Sequence, residues 1–370
     1  MNNTRNERII WIDYFKVFAC LMVLIGHYYN AFYSFCNLIP DLSKYVVVFF
    51  ERFPTPYLDG NFWVCVFCIL SGYLSSSKKI SSLKQLIKEC IMRYLRFVLP
   101  LLFINVIIYL INLIFGFRSI ELSSMYNNNW LGTFFTDITL SGAIKNSITL
   151  GSKLNGPLWM IRPLFVGNIM ILCVNYIKNK LNNHEIVRNI LLLAILLGMF
   201  FVSLHYEILL YMFVTLLGMI IFNITKQSKP KYNLLIFLLI LAIIHIVNIL
   251  PITLTLTKVD NMHFLNVISA FAFIISIFFC TTMRKFKKSK SNLGSISFYV
   301  YLIHWPLICS LSSSLITLFT NYTMGFLIVL LLTLVIVIIL SYLCSKTIDK
   351  FFNKINLNID KKICELLKLN

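Results

Sequence analysis

The first long apolar run, from Ile9 to Tyr29, contains two ionisable side chains, Lys16 and His27. Ionisable groups are costly in hydrocarbon, so their presence there points to chemistry. An imidazole titrates near neutrality and can take a proton from a hydroxyl or attack an acyl carbon. An ammonium attracts phosphate or carboxylate. On a helix the two side chains face nearly the same way, about three turns and roughly 16 Å apart along the axis. Asp13, one turn before Lys16, can pair with it. Lys16 has a bland alternative, which is to snorkel to the headgroups; His27 has none.

The elements that carry these residues follow from composition. The chain has 370 residues, of which 59% are hydrophobic and only 13% charged. That balance excludes a soluble globule and predicts an all-α polytopic membrane bundle. Apolar stretches of spanning length fall near 9–33, 57–77, 97–117, 157–177, 189–204, 206–223, 232–250, 263–283, 293–316 and 323–345, ten in all, the fifth and sixth joined by a tight turn. With the N-terminus inside, the inner segments hold 25 of the 33 basic residues and the outer ones six. That asymmetry places both termini in the cytoplasm. We divide the chain into a membrane domain, 1–350, and a short basic cytoplasmic tail, 351–370.

The net charge of +19 is spread over these inner loops, where it answers to topology and anionic lipid rather than to nucleic acid. Lys78 to Arg96, with leucines and isoleucines spaced among the charges, reads as an amphipathic helix on the inner surface. Cys65 and Cys68 form a CxxC without a second pair or a nearby histidine, so no metal site is expected and the cysteines read as small buried hydrophobes. The N-terminal stretch is too long and polar for a signal peptide and reads as an uncleaved first helix. No phosphate-cradling glycine motif is present, which removes nucleotide hydrolysis and dinucleotide redox chemistry. The longest outer segment, about 118–157, carries Asn127-Asn-Asn-Trp130 and four glycines. It reads either as a substrate-holding dip into the outer surface or as a solvated connector.

The residues carry a resemblance to the membrane acyltransferase-3 family. Asp13-x-x-Lys16, ten residues, then His27 resembles its first-helix signature, in which arginine is commonest at the position of Lys16. Phe67-x-x-x-Ser71-Gly72-Tyr73 is similar to its second-helix motif, and Arg93-x-x-Arg96-x-x-x-Pro100 to the basic entry of its third helix. Gly156-Pro-Leu-Trp159 resembles its tryptophan motif, and Ser297-Phe-x-x-Tyr301-Leu-Ile-His304-x-Pro306 its late helix. Two departures stand out. Lys16 keeps the charge but lacks the bidentate fork of arginine, and no acid follows Trp159, where the chain has Arg162.

The resemblance implies an integral enzyme of the bacterial cytoplasmic membrane. It would transfer an acyl group, usually acetyl, from acyl-CoA to a hydroxyl of a cell-surface glycan or its lipid-linked precursor, with no bound cofactor. Its partners would be the bilayer, the donor, the sugar acceptor and other glycan-assembly proteins. Lys16, supported by Asp13, would favour the anionic donor together with Arg93 and Arg96. His27 would act as general base or as nucleophile, the base being favoured because direct transfer needs fewer residues. Trp159, Arg162, Ser71, Tyr301 and His304 are candidates for acceptor contact or support, although His304 also fits a simple interhelical hydrogen bond. Tyr73 and Trp305 read as packing aromatics, and His184, His205, His245 and His263 need no role. The rival reading is a lipid-linked oligosaccharide flippase or O-unit polymerase, which would show polar routes through several helices or arginines in a large outer loop.

Overall fold

A computed structural model describes residues 10–36, 57, 59–126, 128–135, 138–227, 232–249, 261–280, 293–319 and 322–368. The basic residues Arg5, Arg8, Lys44, Arg52, Lys229, Lys231 and Lys258, and those between 284 and 290, lie outside them. The described residues are helical, with no strand beyond a single bridge between Tyr232 and Cys280.

The helices are α1 (Ile10–Cys36), α2 (Gly60–Ser76), α3 (Leu83–Ile114), α4 (Arg118–Tyr126), α5 (Asn129–Gly132) and α6 (Leu140–Ile148). After a 3₁₀ turn at Gly156–Met160 come α7 (Ile161–Lys180), α8 (Glu185–Ser203), α9 (Glu207–Gln227), α10 (Leu234–Ile249), α11 (Asn261–Phe279) and α12 (Leu293–Leu307). A π turn at Ile308–Ser312 leads to α13 (Ser313–Ile316), then α14 (Tyr322–Lys346) and α15 (Ile348–Leu367). Among the described residues eight helical stretches are long and apolar enough to cross a membrane, and two shorter apolar helices, α2 and α10, fall where the second and seventh spans are expected. The protein is an all-α polytopic bundle.

Local chemistry fixes the ends that matter here. Asp59 caps α2 by accepting from Asn61 N at 2.8 Å, and Ser82 caps α3 by accepting from Gln85 N at 3.2 Å. The surface helix expected over 78–96 is not separate: from Leu83 onward it continues unbroken through Pro100 to Ile114. A proline inside a packed membrane helix is tolerated where neighbours re-satisfy the backbone.

Small residues set the tightest crossing. A Cβ on Gly72 would collide with the Thr215 carbonyl of α9, and one on Gly218 with the backbone of α2 at Ile69. Close backbone approach of this kind replaces the hydrophobic drive that lipid cannot supply. Helix α1 packs between α2, α12 and α14, and the buried Tyr28 hydroxyl donates to the Phe326 carbonyl of α14 at 2.9 Å. This central position lets one helix present Lys16 near one end of the bundle and His27 toward the other.

Candidate functional site

At the end of the bundle where α2 finishes and α3 begins, a cavity of about 310 Å³ gathers Lys16, Ser71, Arg93 and Arg96. Its remaining wall comes from apolar residues of α2, α3 and α7, from the start of α12 and, through Asp349, Phe352, Asn353 and Asn356, from α15. The Lys16 ammonium sits 5.5 Å from the centre of the Phe67 ring, a cation–π contact that offsets part of the cost of holding it in the bundle. Asp13 is buried one turn earlier on the same helix.

Arg93 is aimed by a buried polar chain. Its Nη2 donates to Ser75 Oγ at 2.8 Å, and the Ser75 hydroxyl donates to Asn168 Oδ1 of α7. The Asn168 amide donates to Ser71 Oγ at 3.1 Å and to the Leu164 carbonyl at 2.6 Å. Just outside, Lys78 pairs with Glu89. Burial lowers the Lys78 ammonium from its ordinary value, and the bond to Glu89 opposes that shift. The result is a cationic pocket held by hydrogen bonds.

His27 stands in an aromatic cluster farther along α1. Its ring stacks on His304 with centroids 5.4 Å apart and planes at 13°, and on Trp130 at 5.6 Å and 28°. Trp305 meets it edge-on at 5.9 Å. His304 Nδ1 lies 3.2 Å from the Val300 carbonyl, a contact that puts the proton on Nδ1 and leaves Nε2 as the lone-pair nitrogen. That Nε2 and the indole Nε1–H of Trp305 are both buried without a hydrogen-bond partner. Unmet buried polar groups are costly in a fold and concentrate where a ligand completes them.

The segment between α3 and α7 holds this cluster in place. Asn128 donates to the Asn30 and Ala31 carbonyls at 3.1 and 2.9 Å, bringing Trp130 onto His27. Asn155 donates to the Leu302 carbonyl at 3.1 Å, and the Tyr301 hydroxyl donates to the Pro157 carbonyl, so the Gly156–Met160 turn is fastened to α12. A side chain at Gly156 would strike the Phe134 ring, which itself contacts Trp305.

Between the cationic cavity and the histidines lies an apolar seam with free space of only about 20 Å³, lined by Ala19, Cys20, Val23, Phe67, Met160 and Tyr301 among others. Trp159 and Arg162 are elsewhere. They line a separate cavity of about 590 Å³ with Lys145, Lys153, Thr139 and Ile208, and Arg162 donates to the Thr149 carbonyl at 2.9 Å.

The structure thus brings Lys16, Arg93, Arg96 and Ser71 together, joins His27 to His304, whose ring in turn meets Tyr301, and leaves Trp159 and Arg162 apart. Sequence reasoning named Trp130 only as part of the 118–157 segment, missed Asn155 and Asn168, and set Trp305 aside as packing. The one available signal was an asparagine or tryptophan in an otherwise apolar or turn-rich setting. The model of one protein family, described as an acyltransferase domain, matches residues 9–343, most of the chain. No curated protein and no solved structure matches.

Proposed function

Because this chain belongs to the acyltransferase-3 family of membrane acyltransferases, we propose that it moves an acyl group, acetyl in the usual case, from acyl-CoA to a sugar hydroxyl. The acceptor is a cell-surface glycan or its lipid-linked precursor, and the setting is the bacterial cytoplasmic membrane. The observation that carries this reading is the division of labour along α1. Lys16 shares one cavity with Arg93 and Arg96, while His27 stacks on His304 beyond a narrow seam.

Three cations facing one cavity suit the phosphates of CoA, and the charge asymmetry of the loops supports assigning this end of the bundle to the cytoplasm. The seam past Ala19 and Val23, closed down to about 20 Å³, must part to admit the slim pantetheine arm, which then delivers the thioester to the histidines. His27 takes the proton of the acceptor hydroxyl as its oxygen attacks the thioester carbonyl carbon. The C–S bond breaks, the electron pair leaves on sulfur, and the imidazolium returns the proton to give the free thiol. The unpartnered Trp305 N–H is the donor in the cluster for the transient oxyanion. His304, fixed by Val300, orients the His27 ring. The basic cavity beside Trp159 and Arg162 suits an acidic part of the acceptor.

The test is His27→Ala in the host, with membrane expression confirmed and surface-glycan acyl groups measured by mass spectrometry. Loss of acylation is expected. Unchanged acylation overturns the reading, and altered glycan length with acylation intact favours a polymerase. An acyl-His27 adduct trapped from labelled donor without acceptor would replace the base by a nucleophile.

A further inference from the structure

Helix α15 lies beyond the family match, which ends at residue 343, and composition alone makes it a basic tail. In the structure it is folded onto the bundle. Lys88 Nζ of α3 pairs with Asp360 Oδ1 at 3.1 Å, and Phe352 meets Phe103 edge-on at 6.3 Å. Asp349 Oδ2 accepts from Ser295 Oγ of α12 at 2.8 Å and from Asn353 Nδ2 at 3.1 Å.

Asp349, Phe352, Asn353 and Asn356 follow the spacing that puts side chains on one helix face, and all four line the cavity that holds Lys16, Arg93 and Arg96. Asn356 is 7% exposed, and its Oδ1 is buried without a hydrogen bond. A carboxamide turned about its terminal bond can offer either its donor or its acceptor. An asparagine side chain can pair with the exocyclic amine and a ring nitrogen of adenine, and an aromatic ring gives a purine a stacking surface. The cations opposite suit phosphates.

We propose that α15 is the wall that reads the nucleotide of the donor: Asn356 pairs with the adenine of acyl-CoA and Phe352 stacks against it, while Lys16, Arg93 and Arg96 take the phosphates. This rests on the cavity being the acyl-CoA entrance. It makes the segment after residue 347 part of the donor site, outside the acyltransferase domain as the family match defines it.

The test compares acetyl-CoA with acetyl-4′-phosphopantetheine, which lacks the adenosine and the two phosphates on it, and with an acetyl-CoA analogue that keeps all three phosphates but carries hypoxanthine in place of adenine, in proteoliposomes of the full chain. Asn356→Ala and Phe352→Leu should each raise KM for acetyl-CoA about tenfold, roughly what one lost base contact is worth. Their kcat and their KM for the truncated donor should stay within about twofold of wild type, the precision at which α15 acts on nothing but the nucleotide. With Asn356→Ala, acetyl-CoA and the hypoxanthine analogue should have the same KM, and Asn356→Gln should recover part of the loss. Phe352→Leu keeps an apolar contact with Phe103, so it remains informative if Asn356→Ala fails to fold. An equal rise in KM with acetyl-CoA and the truncated donor would show that α15 is only a clamp, and no change with either would show that it reads nothing; both overturn the proposal. If wild type discriminates among the donors but the variants discriminate as well as wild type, the acyl-CoA reading stands and this inference falls. If wild type accepts none of the donors, both fall.

Discussion

Replacing Ser75 by alanine should weaken donor binding without touching chemistry. Ser75 is buried, accepts the Arg93 guanidinium at 2.8 Å and donates to Asn168 Oδ1. The lost hydroxyl leaves Asn168 satisfied, because its Oδ1 keeps Ser71 Oγ at 3.4 Å and its amide keeps the Leu164 carbonyl, so the group that loses its partner is the Arg93 guanidinium. Stability should therefore fall by only about 0.5–1.5 kcal/mol, the net worth of an ordinary hydrogen bond. The bond to the charged guanidinium is worth about 1.5–3 kcal/mol, part of which Arg93 recovers by reaching water. Roughly 1.4 kcal/mol remains as lost aim, a tenfold rise in KM for acyl-CoA. The assay is acyl transfer in proteoliposomes with labelled donor, run on Ser75→Ala, Arg93→Ala and the double variant. Coupling requires that the double variant be little worse than Arg93→Ala alone. Additive losses, or a fall in kcat at unchanged KM, would refute the view that Ser75 acts through Arg93.

Ala19→Leu narrows the seam between the cavity and the histidines; kcat should fall by an order of magnitude or so while donor affinity, read by equilibrium binding, holds, since overpacking costs about 1–3 kcal/mol. Trp305→Phe keeps the ring but removes the N–H, and should lower kcat about 100-fold, as loss of an oxyanion donor does, with both KM values little changed. Gly72→Ala drives a methyl into the Thr215 carbonyl and should destabilise the bundle by about 1–3 kcal/mol, seen as a lower unfolding temperature in detergent.

Much of the cationic cavity was legible: Lys16 stood out as charge in apolar surroundings, Arg93 and Arg96 through the motif they form with Pro100, and all three line it. His27 and His304 were legible as Lys16 was. Trp130 was not, because its place beside His27 depends on Asn128 reaching the carbonyls of Asn30 and Ala31, a contact with no trace in local sequence. Asn168 was hidden as one polar residue in an apolar span, although one turn after Leu164 it becomes the hub that aims Arg93. The role of residues 351–370 was obscured by averaging. Their lysines give a basic tail, yet Phe352, Asn356 and Asp360 all turn toward the bundle. The run 78–96 was misjudged for a related reason: its charges mark the entry of α3, and the helix simply continues past them. Trp159, within the Gly156–Met160 turn, and Arg162, just after it, line a separate cavity rather than the histidine cluster.

The central claim is that His27 does the chemistry while the Lys16 end holds the donor. Single-turnover acyl transfer by His27→Ala, measured in the same proteoliposomes as its Kd for acyl-CoA, tests both halves together. The rate should fall at least about 100-fold, as expected when a positioned base is lost, with Kd within about twofold of wild type. A rate within tenfold of wild type, or a Kd that collapses with the rate, would contradict the account.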